Sequence, residues 1–158
     1  MFDELVVSTL EARCPTVPML HRVRCGGAAE IDHVAVAASG VYVIAVTPES
    51  GGFRVSRPRF GPAILRVGRR DHSALVDSLH DQVAAVEAAL ADVDVHVPVR
   101  GVLCFAGAGA PLLRVLTIDG VPLTHARQVA RLLRRPGPLT GTRARQVLDA
   151  LDTSLVAA

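Results

Sequence analysis

The sequence predicts an α/β domain, a mixed central sheet flanked by helices, and three observations carry that expectation. Residues 29–47, AEIDHVAVAASGVYVIAVT, contain two runs (30–37 and 41–47) rich in Val, Ile and Ala that meet at Ser39-Gly40. Apolar, β-branched runs on either side of a Ser-Gly break read as strand, tight turn and strand. Neither run alternates with polar residues for long, so both belong to a sheet covered on two faces. Residues 71–91 then repeat Leu75, Leu79, Val83, Val86 and Leu90 at helical spacing. Taken in order, the segments read αβββ(ββ)αββαα, which suits a mixed sheet with helices packed on it.

Each element has a local reason. Phe2, Leu5, Val6, Thr9 and Leu10 form one helical stripe over residues 2–12, and Asp3 and Glu4 occupy the first turn, where the macrodipole favours acids. Cys14-Pro15 through Pro18 ends that helix. Residues 19–25 alternate weakly and read as the first strand, with Gly26-Gly27 as the turn into the central hairpin. Residues 48–52 are a loop. Short strands over 53–56 and 63–67 are separated by Arg57-Pro58-Arg59-Phe60-Gly61-Pro62, a rigid, surface-facing segment. Asp71 or Ser73 is the expected cap of the long helix. Residues 97–105 read as a buried strand, 107–111 (GAGAP) as a loop, and 112–118 as a further strand closed by an Asp119-Gly120 turn. Thr124 is expected to cap a helix running to Arg135, stopped by Pro136-Gly137-Pro138, and Thr140 or Thr142 to start a last helix to about Val156. A single domain over 1–158 is expected, with a core over about 1–135 and a C-terminal helical extension over about 139–156.

Composition narrows the class. A chain of 158 residues is long enough for one domain with a real core. Half its residues are hydrophobic and mean hydropathy is +0.37, yet the longest apolar stretch, 34–47, is too short to span a bilayer and is broken at Ser39-Gly40. The start, MFDELVVSTLEARC, carries acids where a signal peptide needs a basic region, so no membrane association and a cytoplasmic location are expected. The apolar surplus suits a protein partner or a homo-oligomer interface. Cys14, Cys25 and Cys104 show no CxxC spacing and read as buried reduced thiols.

The segment E-I-D-H-V-x-V-x-x-S-G-V-Y-V-I, with a glycine a few residues later, resembles the nuclease-related domain, NERD. The resemblance implies a restriction-endonuclease-like fold of the PD-(D/E)xK superfamily. In that family the first strand carries Asp and the second ends in Glu-x-Lys. Asp32 matches the Asp; Ala45-Val46-Thr47 falls at Glu-x-Lys, with Gly51 or Gly52 at the glycine that follows. Asp3-Glu4 with Leu10 resembles the family's opening Gly-Glu helix, Gln82 its helix glutamine, and residues 98–105 its late strand. Nearly the whole chain to about residue 135 is covered. By this resemblance Glu4, Glu30, Asp32 and Gln82 are the vestigial catalytic residues, with Asp32 the one candidate metal ligand.

The missing half matters chemically. Mg²⁺ takes oxygen ligands in near-octahedral geometry, usually one or two carboxylates with water and phosphate. In such nucleases Asp and Glu hold the metal that activates water, and the Lys stabilises developing negative charge. Ala45 supplies no ligand and Thr47 no positive charge. All 17 basic residues of the chain are arginine, so no lysine arrives from elsewhere. Glu49, in the 48–52 turn, is the one acid placed to act as a migrated ligand.

Several residues carry alternative readings. Strand alternation sets Glu30 and Asp32 on one face, either as a residual metal- or phosphate-facing site or as an inherited pair solvated or bonded to an arginine. Glu4 either leans toward that site or serves the helix dipole. Gln82 either reaches the site or is an exposed helix residue. Arg127, Arg131, Arg134 and Arg135 share a helix face, and six arginines with no acid lie between Phe53 and Arg70. With Arg54, Arg57 and Arg59 these make two basic patches suited to DNA phosphates; the plainer reading is a solvated face in the Arg-rich proteome of a GC-rich bacterium. Five aromatics are few for stacking on single strands. Gly107-Ala108-Gly109 lacks the spacing of a phosphate loop. His33 points away from Asp32, and no nucleophile–base set is evident.

The expected function is a catalytically degenerate NERD-type module that binds DNA or assembles with protein, with no cofactor, or Mg²⁺ if the site is active. The rivals are an active Mg²⁺-dependent endonuclease using Asp32, Glu30 and Glu49, and a structural homo-oligomeric subunit.

Overall fold

A computed structural model of the chain describes residues 2–49, 52–94, 96–107 and 115–157. The chain begins with α1 (Phe2–Arg13) and β1 (Met19–Arg24), followed by the central hairpin, β2 (Ile31–Ala37) and β3 (Gly40–Thr47). A small excursion, β4 (Phe53–Ser56), β5 (Ile64–Val67) and β6 (Arg70–Asp71), leads into α2 (Ser73–Ala89). Next come β7 (Val99–Phe105), β8 (Leu116–Ile118), β9 (Val121–Thr124), α3 (Ala126–Leu133), α4 (Gly141–Ser154) and β10 (Val156–Ala157).

Seven strands form one sheet in the order β10-β1-β2-β3-β7-β9-β8, and β4-β5-β6 form a second. β2 pairs antiparallel with β3, whereas β3–β7 and β7–β9 are parallel. The sheet is therefore mixed and flanked by helices, consistent with a restriction-endonuclease-like fold. Parallel pairs require crossovers, and α2 supplies the one between β3 and β7.

Two apolar layers sandwich the sheet. On one face Val6 and Leu10 of α1 and Val129, Ala130 and Leu133 of α3 meet Ala35, Tyr42, Ile44 and Cys104. On the other, Val76, Leu79 and Val86 of α2 and Val147 and Leu151 of α4 meet Val34, Val36, Val43 and Leu103, joined by Phe53, Leu65 and Val67 of the small sheet. With both faces covered, β2 and β3 read as nearly continuous apolar runs. Close packing depends on glycines at several contacts, Gly40 and Gly101 among them. A Cβ on Gly40, whose φ is +143°, would lie 2.6 Å from the Pro98 carbonyl oxygen, and one on Gly101 would lie 3.0 Å from Leu79 Cγ of α2.

β1 has one unusual residue. Arg22 adopts φ +49°, a left-handed conformation that interrupts the side-to-side alternation of a strand. Met19 accordingly packs with the α1/α3 layer, whereas Val23 and Cys25 join the α2/α4 layer.

The structure corrects several expected boundaries. α2 starts at Ser73 after His72; Asp71 contributes by accepting the Ser73 N–H at 2.9 Å. Thr124 does not cap α3. It ends β9, fully buried, and its hydroxyl donates to the Leu103 carbonyl at 3.0 Å. α3 starts after His125, whose N–H bonds Gln128 Oε1 at 3.1 Å, and it stops at Leu133, so Arg135 lies past its end. The short strands β6, β9 and β10 carry too few residues to show a period. The loop expected over 107–111 and the start of the strand expected over 112–118 lie largely outside the described residues, as does Gly51. All three cysteines are free and buried, as the composition suggested. Among the described residues no helix is long and apolar enough to cross a membrane.

Candidate functional site

β3, β7 and β9 run parallel, so their C-terminal ends share one end of the sheet, and the antiparallel β2 begins there. The register that pairs His33 with Ile44 carries Asp32 opposite Ala45. Asp32 Oδ2 accepts the Val46 N–H at 2.7 Å. Burial pushes the Asp32 carboxyl up from its ordinary value; the Val46 hydrogen bond and the neighbouring His33 oppose that shift, and Asp3 and Glu30 add to it. Cys104, beside Val46 on β7, is pushed up to about 12 by burial and by the Asp3 and Asp32 carboxylates, so it stays an inert thiol.

The other expected acids do not converge on Asp32. Glu30 lies just before β2, and its carboxylate accepts from Arg22 Nε at 3.2 Å. Ile31 joins the core with α2 and α4 while His33 turns toward α1, so regular alternation does not run through this end of the strand. Glu4 is exposed on α1. Thr47 is buried, and its Oγ1 accepts the Glu49 N–H at 3.4 Å. Gln82 is 6% exposed, which removes the surface reading, and its Nε2 donates to the Glu30 carbonyl at 3.1 Å. Its Oε1 is buried without a partner among the described residues. Nor is any group of three or more His, Cys, Asp or Glu side chains there placed to hold a metal ion.

A hydrogen-bonded chain that sequence reasoning missed runs beside this site. Asp3 Oδ1 lies 2.7 Å from Nε2 of the fully buried His33, and His33 Nδ1 lies 2.8 Å from Nδ1 of His21. In the neutral tautomer that gives Nε2–H to Asp3, His33 offers a lone pair to the Nδ1–H of His21. The exposed His21 then turns its own Nε2 lone pair outward, beside a shallow cleft that Glu11 and Cys14 also line. Burial holds His21 below its usual range, with the nearby His33 acting in the same sense. The helix acid that reaches the sheet is thus Asp3, not Glu4. Cross-strand pairing of His21 with His33 was the available sequence signal; the docking of α1 was not.

The arginines are displayed rather than paired. Arg54, Arg57, Arg59, Arg127, Arg131, Arg134 and Arg135 are all exposed, and Arg22–Glu30 is the one arginine–carboxylate ion pair among the described residues. Arg57 Nη2 donates to the Thr117 carbonyl of β8 at 3.0 Å. α3 follows β9 and packs against it and α1, while β4 lies against β8; Arg134 and Arg135, past the end of α3, line a cleft with Cys14, Val36 and Ala37 instead of the β8 edge.

No curated protein and no solved structure matches the chain. The family model described as "Nuclease-related domain" matches residues 4–106, well over half of it. That span holds the central hairpin, Asp32 and the crossover helix with Gln82, and on this match the chain belongs to the nuclease-related domain (NERD) family.

Proposed function

We propose that this NERD domain is a pseudonuclease that binds duplex DNA without cutting it. The observation that carries the reading is Asp32 facing Ala45, with buried Thr47 two residues on. Where an active site of this family requires a second carboxylate and a lysine, a methyl group and a hydroxyl stand instead. The donor set does not fit Mg²⁺: Asp32 is committed in part to the Val46 N–H, Glu30 to Arg22 and Asp3 to His33. Retained DNA affinity is supported by the two acid-free, exposed arginine segments, because phosphate neutralisation by arginine supplies sequence-independent affinity.

The test combines cleavage and binding. Plasmid incubated with Mg²⁺ or Mn²⁺ is expected to stay intact, while a labelled duplex is retained in a salt-dependent way. Arg131→Ala with Arg135→Ala is expected to make the slope of log K against log salt shallower by about 1–2. Nicking that disappears in Asp32→Ala would establish an active enzyme and overturn the proposal.

A further inference from the structure

The β4–β5 hairpin places an aromatic ring in solvent. Ser56 pairs with Ile64, so residues 57–63 form a seven-residue loop, and Phe60 is its central residue. Phe60 is 85% exposed, the highest value among the exposed large apolar side chains described. The base of the hairpin, by contrast, is fixed. Phe53 stacks on Phe105 with centroids 4.3 Å apart, Leu65 and Val67 are buried in the core, and Arg57 is bonded to the Thr117 carbonyl.

The loop sequence, Arg57-Pro58-Arg59-Phe60-Gly61-Pro62, is exposed at every position. Two prolines restrict it, and Gly61, at φ +95°, makes the turn beside the ring. The Arg59 guanidinium sits 5.8 Å from the Phe60 ring centroid. No acid occurs between Phe53 and Arg70. An apolar ring held forward beside a guanidinium on a stiff, arginine-bearing loop suits a partner that is anionic on its outer face and apolar between stacked planes.

Resting on the DNA-binding reading above, we propose that this loop is a wedge into duplex DNA: Phe60 enters between adjacent base pairs while Arg57 and Arg59 hold the flanking phosphates. Side chains of this type partly unstack a base step and bend the duplex, and the bend brings more protein surface onto the backbone. The occupant is duplex DNA because the exposed ring stands beside the Arg59 guanidinium in an arginine-bearing segment that no acid interrupts, a match for stacked apolar planes edged by phosphates.

The test uses the full chain and short duplexes with 2-aminopurine at an internal step, read by anisotropy for affinity and by fluorescence for unstacking. The wild type is expected to raise 2-aminopurine emission on binding. Phe60→Ala is expected to bind about tenfold more weakly, with no emission change and an unaltered salt slope, because the ring carries no charge. Arg59→Ala is expected to reduce that slope by about 1. Phe60 is solvent-exposed, so an unchanged thermal midpoint for Phe60→Ala is the folding control. Duplex binding and emission unaffected by Phe60→Ala would overturn the wedge and leave DNA binding standing. No duplex binding by the wild type would overturn both. Phe60-dependent partition onto phosphatidylglycerol vesicles without duplex binding would make the loop a lipid anchor and overturn both as well.

Discussion

Replacing His33 with leucine removes the centre of the Asp3–His33–His21 chain at nearly constant volume. Two hydrogen bonds end, of 2.7 Å to the Asp3 carboxylate and 2.8 Å to His21. A bond to a charged group contributes about 1.5–3 kcal/mol and a neutral one about 0.5–1.5 kcal/mol. Asp3 is 40% exposed and His21 is exposed, so water re-solvates both orphaned partners and the lower ends apply. Leucine refills the space, which keeps any cavity small. The expected loss is therefore about 2 kcal/mol, or about 4–8 °C in Tm for a chain of this size. Urea unfolding followed by circular dichroism at neutral pH measures it, and the Asp3→Asn single and double variants complete a cycle with an expected coupling of about 1 kcal/mol. A His33→Leu protein as stable as the wild type, with no coupling to Asp3, would refute the assignment of this chain as a tie between α1 and the sheet.

Asp32→Asn keeps an acceptor for the Val46 N–H but removes a carboxyl whose folded-state pKa burial raises above 3.8. The unfolded chain ionises first as pH rises, so wild-type stability is lost from about pH 4 upward and Asp32→Asn escapes that loss. Its stability advantage should grow across the acid range and then level off, as paired urea titrations at several pH values would record. Leu79→Ala empties a fully buried site over Gly101 and is expected to cost about 2.7–5 kcal/mol, measured by chemical denaturation. Gly137→Ala drives a methyl into the Ala38–Ser39 backbone, against which Leu139 N–H also bonds, and is expected to cost about 1–3 kcal/mol in the same assay.

The sheet was legible because its strands are buried on both faces: the Val- and Ile-rich runs around Ser39-Gly40 became β2 and β3 within a residue or two. α2 was legible for the opposite reason, since Leu75, Leu79, Val83, Val86 and Leu90 recur at helical spacing; the structure buries Leu79, Val86 and Leu90, leaves Leu75 and Val83 half-buried, and turns the buried face toward Val76 and Gln82. The strand β9 was not, because four residues that include Pro122 show no period. Thr124 misled because a threonine before a helix resembles a cap, whereas strand pairing buried it and gave its hydroxyl to Leu103. At the candidate site, Asp32 was visible from motif and register, and so were Ala45 and Thr47. The bond from Glu30 to Arg22, and Asp3 rather than Glu4 reaching His33, depend on how α1 docks and how β1 twists. Neither is encoded in local spacing.

The left-handed Arg22 inverts the parity of β1. Ahead of it Met19 faces the layer of the opening helix and Leu20 the other layer; past it the odd-numbered Val23 and Cys25 have changed sides. That single reversal lets His21 reach His33 while Val23, two residues on, is buried in the opposite layer, one hydrogen-bonded strand away from Asp32.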